Sequence, residues 1–168
     1  MTPNPQLEKP DDISFMTLAL EQARQAASLG EVPVGAVLVQ QGQVIGTGFN
    51  HRETRQDPTA HAEVIAIREG AARLKSWRLL ETTLYVTLEP CIMCAGAIWQ
   101  ARITRVVFGT FDPKAGAYGS ILNLHLERRL NHHVEVVGPL LEEACRATLR
   151  TFFHALRQAE STTAQPQG

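Results

Sequence analysis

The chain is short of cysteine, of long apolar runs and of net charge, and each shortage excludes something. It has 3 cysteines in 168 residues, and two of them, Cys91 and Cys94, share one C-x-x-C. That is no disulfide framework, and it points to a reducing compartment. No apolar stretch approaches the ~20 residues that cross a bilayer, so no membrane span is expected. The polar start, Met1 to Asp12, lacks the hydrophobic segment of a secretory signal. The expected compartment is therefore the cytoplasm. Formal net charge is −1. A chain-wide basic footprint for nucleic acid is missing, so any RNA contact has to come from a local basic patch. What is present is ordinary: 44% hydrophobic and 20% charged residues, enough for one domain with a core.

Residues 1–11 are polar, carry three prolines and are expected to be disordered. One domain is expected over 12–160, with a polar tail over 161–168. The spacing of Met16, Ala19, Leu20, Ala23 and Ala27 predicts a helix from Asp12 or Ser14 to Gly30. Gly35 to Val39 reads as a buried strand, and Val44 to Phe49 as its hairpin partner across Gln41-Gly42. Asn50 to Gln56 is a polar loop. A second helix is expected from Pro58, capped by Asp57, with Val64, Ile67, Ala71 and Leu74 as its buried stripe. Strands follow at Thr83–Leu88, Arg105–Thr110 and Val134–Val137. A third helix runs from Cys91 towards Ala101. The last helix has Leu141, Cys145, Thr148, Leu149, Phe152 and Leu156 on one side. Alternating strands and helices imply a three-layer α/β/α sandwich. Residues 111–133 are too many for a hairpin and enough for a helical crossover, which favours a parallel final pair.

Two pieces carry chemistry: Asp57-Pro58-Thr59-Ala60-His61-Ala62-Glu63 and Thr87-Leu88-Glu89-Pro90-Cys91-Ile92-Met93-Cys94. Together they spell H-x-E followed by P-C-x-x-C, the known signature of zinc nucleobase deaminases. A catalytic zinc takes three protein ligands and leaves one position open, and His61, Cys91 and Cys94 supply three. A helix start at Cys91 favours the thiolate form that binds metal. His61 and Glu63 are two apart and cannot share a helix face. They serve one centre only if the metal sits over the end of the helix. Glu63 then stands beside the metal without binding it and can move protons.

Each reading has a plainer rival. The zinc would be structural if a fourth ligand closed the set, but Cys145 falls on an apolar stripe and reads as core. A redox C-x-x-C would have no use for His61 or Glu63. Asn50 can be a loop asparagine, and Asp112-Pro113 a turn starter. Gly116 and Gly119 lack the G-x-x-x-x-G-K of a phosphate loop. His132 and His133 read as loop residues. Trp99 is either core or interface.

From residue 13 to 158 the chain resembles the bacterial tRNA adenosine deaminases, which convert the wobble adenosine of an arginine tRNA to inosine. The resemblance rests on Glu31-Val32-Pro33-Val34-Gly35-Ala36-Val37, Phe49-Asn50, Asp57 to Glu63, Thr83 to Cys94 and Arg105 to Gly109. Asp112 to Ser120, Asn131-His132 and Phe152-Phe153 extend it. It implies a five-stranded mixed sheet of the cytidine-deaminase type with its last two strands parallel. It implies one Zn2+ per subunit on His61, Cys91 and Cys94, with Glu63 as proton shuttle, in a homodimer. Asn50 and Ala62 would meet the base. Asp112, Lys114, Phe152, Phe153 and Arg157 would hold the anticodon stem-loop. The chain departs from the family after Phe153, where His154 stands in place of a usual arginine or lysine and the lysine-rich ending is missing.

Two other functions compete with RNA editing. A deaminase of free guanine, cytosine or cytidine would use the same zinc machinery. A non-catalytic, zinc-stabilised RNA-binding module would not need Glu63.

Overall fold

The computed structural model describes residues 9–163. Residues 1–8 and 164–168, parts of the expected disordered start and polar tail, lie outside the described residues. The first helix, α1, spans Asp12–Ser28 and buries Met16, Ala19, Leu20, Ala23 and Ala26 at helical spacing. It ends at Gly30, whose φ of 76° lies in the left-handed region that glycine tolerates. The Glu31 N–H turns back to the Ala26 carbonyl at 3.0 Å, closing the helix end.

Strands β1 (Gly35–Gln40) and β2 (Gln43–Phe49) form an antiparallel hairpin. Gln41 and Gly42 both have positive φ, as a type I′ turn requires. After a short helix α2 (Arg52–Arg55) come α3 (Ala62–Leu74), β3 (Thr82–Leu88), α4 (Ile92–Gln100) and β4 (Arg105–Thr110). β5 (Glu135–Val137) and α5 (Glu142–Thr163) complete the chain. The five-stranded sheet has the order β2-β1-β3-β4-β5. β1 is antiparallel to both neighbours, and β3, β4 and β5 run parallel. Alternate strand residues face opposite layers. Val37, Val39, Tyr85, Val107 and Val137 pack with α1 and with Cys145 of α5. Ala36, Leu38, Val86, Val106 and Phe108 pack with α3 and α4. The sandwich, the mixed sheet and the parallel final strands are as the sequence implied.

Four local expectations are corrected. First, α3 begins at Ala62, not Pro58. The Asp57 carboxylate is used by a turn, accepting from the Thr59 N–H at 2.8 Å and the Thr59 hydroxyl at 2.7 Å. Second, the deeply buried face of α3 is Ala62, Glu63, Ala66 and Gly70. The strand beneath carries Gly46 and Gly48, where an added Cβ would run into the backbone of α3, within 2.9 Å of Gly70 N and 2.8 Å of Ala66 N. The helix therefore sits close, small side against small side. Of the expected stripe, Ile67, Ala71 and Leu74 pack half-buried against the core, and Val64, Ile67 and Ala71 also border an apolar groove shared with Trp77 and Ala97. Third, residues 111–134 contain only a 3₁₀ turn, Leu124–Leu126, rather than a crossover helix. Fourth, Cys145 is the one buried side chain among the described part of α5, and every described side chain beyond Phe152 is exposed, Leu156 included. That helix continues through residues 161–163.

Candidate functional site

Two helix starts meet over the ends of β2 and β3. His61 is the N-cap residue of α3 with extended backbone, φ −79° and ψ 152°. Cys91 holds the same place on α4, with φ −71° and ψ 172°. Cys94 sits in the first turn of α4 and is fully buried. His61 Nδ1 lies 3.7 Å from Cys91 Sγ and 3.5 Å from Cys94 Sγ. The three ligand atoms are within 4.8 Å of one another. Zinc bonds of about 2.3 Å to sulfur and 2.0–2.1 Å to nitrogen, at a tetrahedral angle, separate such atoms by about 3.6 Å. The cluster therefore fits zinc. The positive ends of two helices point at it, which favours bound thiolates. Cys145 lies in the core on the other side of the sheet and offers no fourth ligand.

A hydrogen bond from Cys94, joined by His61, pulls the Cys91 thiol down to about 4. The same contact with Cys91, together with burial, pushes the Cys94 thiol up. His61 is raised, chiefly by its contact with Cys91. Glu63 is buried on α3, and burial lifts its carboxyl to about 7. A carboxyl at that value can both take and give a proton near neutrality.

His61, Glu63 and Cys91 open onto a cleft of about 220 Å³. Val32, Val34 and Leu88 give it apolar lining. One wall carries Asn50 and Arg52, and the other Asp112 and Ala115. Ala62 also lines it. Asn50 is buried and held at both ends of its amide. Its Oδ1 accepts from the Arg52 N–H at 3.2 Å, and its Nδ2 donates to the Val32 carbonyl at 3.4 Å. The Asp112 carboxylate caps its own loop, accepting from Lys114 N–H at 3.0 Å and Ala115 N–H at 3.3 Å. Lys114 is exposed. Phe152, Phe153 and Arg157 stand on α5, and none of them lines the cleft.

Two buried carboxylates were not singled out from the sequence. Glu31 is fully buried and accepts from the Thr54 N–H at 2.6 Å and the Glu53 N–H at 3.2 Å, which fixes α2 behind Asn50. Glu89, beside the first cysteine, takes four hydrogen bonds from the opposite loop. The one available signal was position: each carboxylate adjoins an apolar strand or a proline, where a surface acid has no reason to stand.

Residues 9–110 match the family model for the cytidine and deoxycytidylate deaminase zinc-binding region. That span holds His61, Glu63, Cys91 and Cys94 and stops at the end of β4. The chain is 50% identical over 147 residues to a tRNA-specific adenosine deaminase of Bacillus subtilis, covering 88% of this chain and 91% of that one. It is 51% identical over 148 residues to the tRNA-specific adenosine deaminase of Haemophilus influenzae, covering 88% and 86%. The chain belongs to the tRNA-specific adenosine deaminase family. A solved structure from work on A-to-I editing by tRNA:A34 deaminases at the wobble position of transfer RNA superposes with a TM-score of 0.78. That pair shares 44% identity and covers 81% of this chain and 99% of the other. In this member of the tRNA-specific adenosine deaminase family, the His/Cys/Cys cluster lies within the zinc-binding region and is positioned to hold a metal ion. Among the described residues, no helix is long and apolar enough to cross a membrane.

Proposed function

We propose that this chain hydrolytically deaminates adenosine to inosine at the wobble position of a tRNA anticodon, with an arginine tRNA as substrate. One observation carries the reading: buried Glu63 stands beside three side chains positioned to hold a metal ion on the floor of a walled cleft. A binding module has no need to bury a carboxylate there, since desolvating it is costly. His61, Cys91 and Cys94 would hold zinc, which when bound would supply Lewis acidity towards the attacking water. Glu63 takes a proton from that water as oxygen bonds to C6 of adenine, and passes it to N1, which receives the electron pair of the opened C6=N1 double bond. It then moves the proton of the new hydroxyl to the amino nitrogen as the C6–N bond breaks, the C6=O bond forms and ammonia leaves. Asn50 and the backbone of Ala62 fix the base edge. Asp112 and Lys114 at the mouth, and Phe152, Phe153 and Arg157 on α5, receive the anticodon stem-loop. The enzyme works in the cytoplasm as a homodimer. The exposed apolar groove of Val64, Ile67, Ala71 and Trp77 supports a second copy seated between α3 and α4.

The test is deamination of an anticodon stem-loop, free adenosine, guanine and cytidine by one preparation. Remote contacts are used to position the flipped base, so the stem-loop should turn over well and free adenosine very poorly. Efficient conversion of free guanine or cytidine, with the stem-loop untouched, moves the chain to the free-base reading and leaves the zinc assignments standing. Sedimentation of the same preparation as a monomer would remove the dimer.

A further inference from the structure

Glu89 follows directly from β3 and is 2% exposed, yet it ion-pairs with no lysine or arginine within salt-bridge reach among the described residues. A buried carboxylate of that kind is stable only if hydrogen bonds replace its hydration. All of its donors come from one segment. Oε2 accepts from the Asp112 N–H at 3.0 Å and from the Ser120 hydroxyl. Oε1 accepts from the Tyr118 N–H at 2.9 Å and the Ser120 N–H at 3.0 Å. The segment has no helix or strand of its own to set its shape, apart from isolated bridges such as Cys91 to Gly116. Gly116 is the complementary space. A Cβ there would collide with Glu89 Cδ and both carboxylate oxygens.

We propose that Glu89 is the positioning residue of the Asp112–Ser120 wall, and that Gly116 is glycine because the Glu89 carboxylate occupies its side-chain space. The wall carries Asp112 and Ala115 of the cleft, so Glu89 sets where the RNA-facing side of the pocket stands relative to the zinc cluster. The chemistry itself stays with Glu63. This inference rests on the tRNA deaminase reading of the cleft for its kinetic part.

Glu89→Gln separates the two ends of the clamp. An amide has a single acceptor oxygen, and its NH₂ cannot face an N–H. The arrangement that loses least keeps the oxygen on the Tyr118 and Ser120 N–H groups. The NH₂ then faces Ser120 Oγ, which can turn to accept, and the Asp112 N–H, which cannot. The Asp112 end of the wall is released. If the wall is in place only about a tenth of the time, apparent affinity falls about tenfold, while a complex once formed reacts as before.

The experiment uses the zinc-loaded protein and three variants: Glu89→Gln, Gly116→Ala and the milder Ser120→Ala. Amide hydrogen exchange is measured at Asp112, together with zinc content and steady-state kinetics on the stem-loop. Glu89→Gln and Gly116→Ala should each speed exchange at Asp112 and raise KM about tenfold, with kcat within about threefold and zinc retained. Ser120→Ala should raise KM two- to threefold, roughly, with a small drop in melting temperature. Unchanged exchange and KM in all three overturns the proposal. So does loss of zinc and fold in Glu89→Gln with Gly116→Ala and Ser120→Ala behaving as wild type, because Glu89 is then a structural residue only. A wild type that leaves the stem-loop unreacted defeats the functional reading, and the exchange data still decide the positioning.

Discussion

The guanidinium of Arg105 and the carboxylate of Asp12, 93 positions apart, meet in a buried two-point pair at 2.8 and 2.7 Å. Arg105 opens β4 and Asp12 opens α1. The Tyr85 hydroxyl donates to the same carboxylate at 2.8 Å, and the Lys9 N–H does so at 2.7 Å. Arg105 also reaches Glu135 of β5 at 2.8 Å. The group thus ties the first helix to three parallel strands.

Burial acts to raise the Asp12 pKa, but the hydrogen bonds from Arg105, Lys9 and Tyr85 outweigh it and hold the carboxyl below its ordinary 3.8. Folding favours the ionised form, so this stability is complete above pH 3.8 and is lost as pH falls below it, through the folded value. Asp12→Asn should cost about 3 kcal/mol at neutral pH, the low end for breaking a buried pair, because Glu135 remains beside Arg105. It should also flatten the acid limb of the stability curve. Denaturant melts of both proteins from about pH 5 down to about pH 2, which spans the ordinary carboxylate value and the region below it, check it. Parallel acid limbs would remove Asp12 from the account.

Cys94→Ala should abolish metal binding, since zinc then keeps only two protein ligands. Metal analysis should find about one zinc per wild-type chain and none in the variant, and the variant should melt lower because metal binding is coupled to folding. Full occupancy in Cys94→Ala would strike that residue from the ligand set.

Glu63→Ala should keep zinc and fold while losing turnover. One general acid–base group accounts for about 10²–10⁴-fold, and this carboxylate handles more than one transfer, so the upper end is expected. Single-turnover rates on the stem-loop give the number. A variant within tenfold, roughly, of wild type contradicts the mechanism.

Gly48→Ala pushes a methyl against the Ala62 carbonyl and within 2.8 Å of Ala66 N, and neither backbone group can move aside cheaply. Overpacking of this kind costs about 1–3 kcal/mol. It also shifts the start of α3, and a shift of about 1 Å at His61 and Glu63 can cost roughly 10²-fold in rate. Gly96→Ala is the control: nothing lies within 4 Å of its added Cβ, and α4 should gain slightly in stability. Melting temperature and kcat, measured on both, distinguish a packing clash from a generic loss of glycine.

What was legible in the sequence was what depends on short spacing. The five strands fall within two residues of their expected places, because runs such as Val106-Val107-Phe108 admit few other readings. That His61, Cys91 and Cys94 come together was legible because three metal ligands have to converge, and the structure places their ligand atoms within 4.8 Å of one another. Asp57-Pro58 misled because the same pair starts turns and helices, and only the contact with Thr59 decides between them. Ile67, Ala71 and Leu74 of the α3 stripe do pack against the core, but its deepest line was missed because large residues normally take that place. Here the glycines of β2 invert that, which the helix's own sequence does not reveal. The buried pairing of Asp12, Glu31, Glu89 and Arg105 was not legible, since most of their partners are 22 or more positions away or come from loops without pattern.

His61, Glu63, Cys91 and Cys94 stand at two helix starts, whereas the walls of the cleft are a short helix with its flanking loop and an irregular segment, each with one buried carboxylate among its anchors. Reaction and recognition are therefore separable parts of the chain. Exposed wall residues, such as Arg52 or Lys114, can be exchanged for new substrate shapes without disturbing the His/Cys/Cys group. The anchors Glu31 and Glu89 set the limits of that freedom: a library that varies the walls but keeps both glutamates explores new pockets on an intact catalyst.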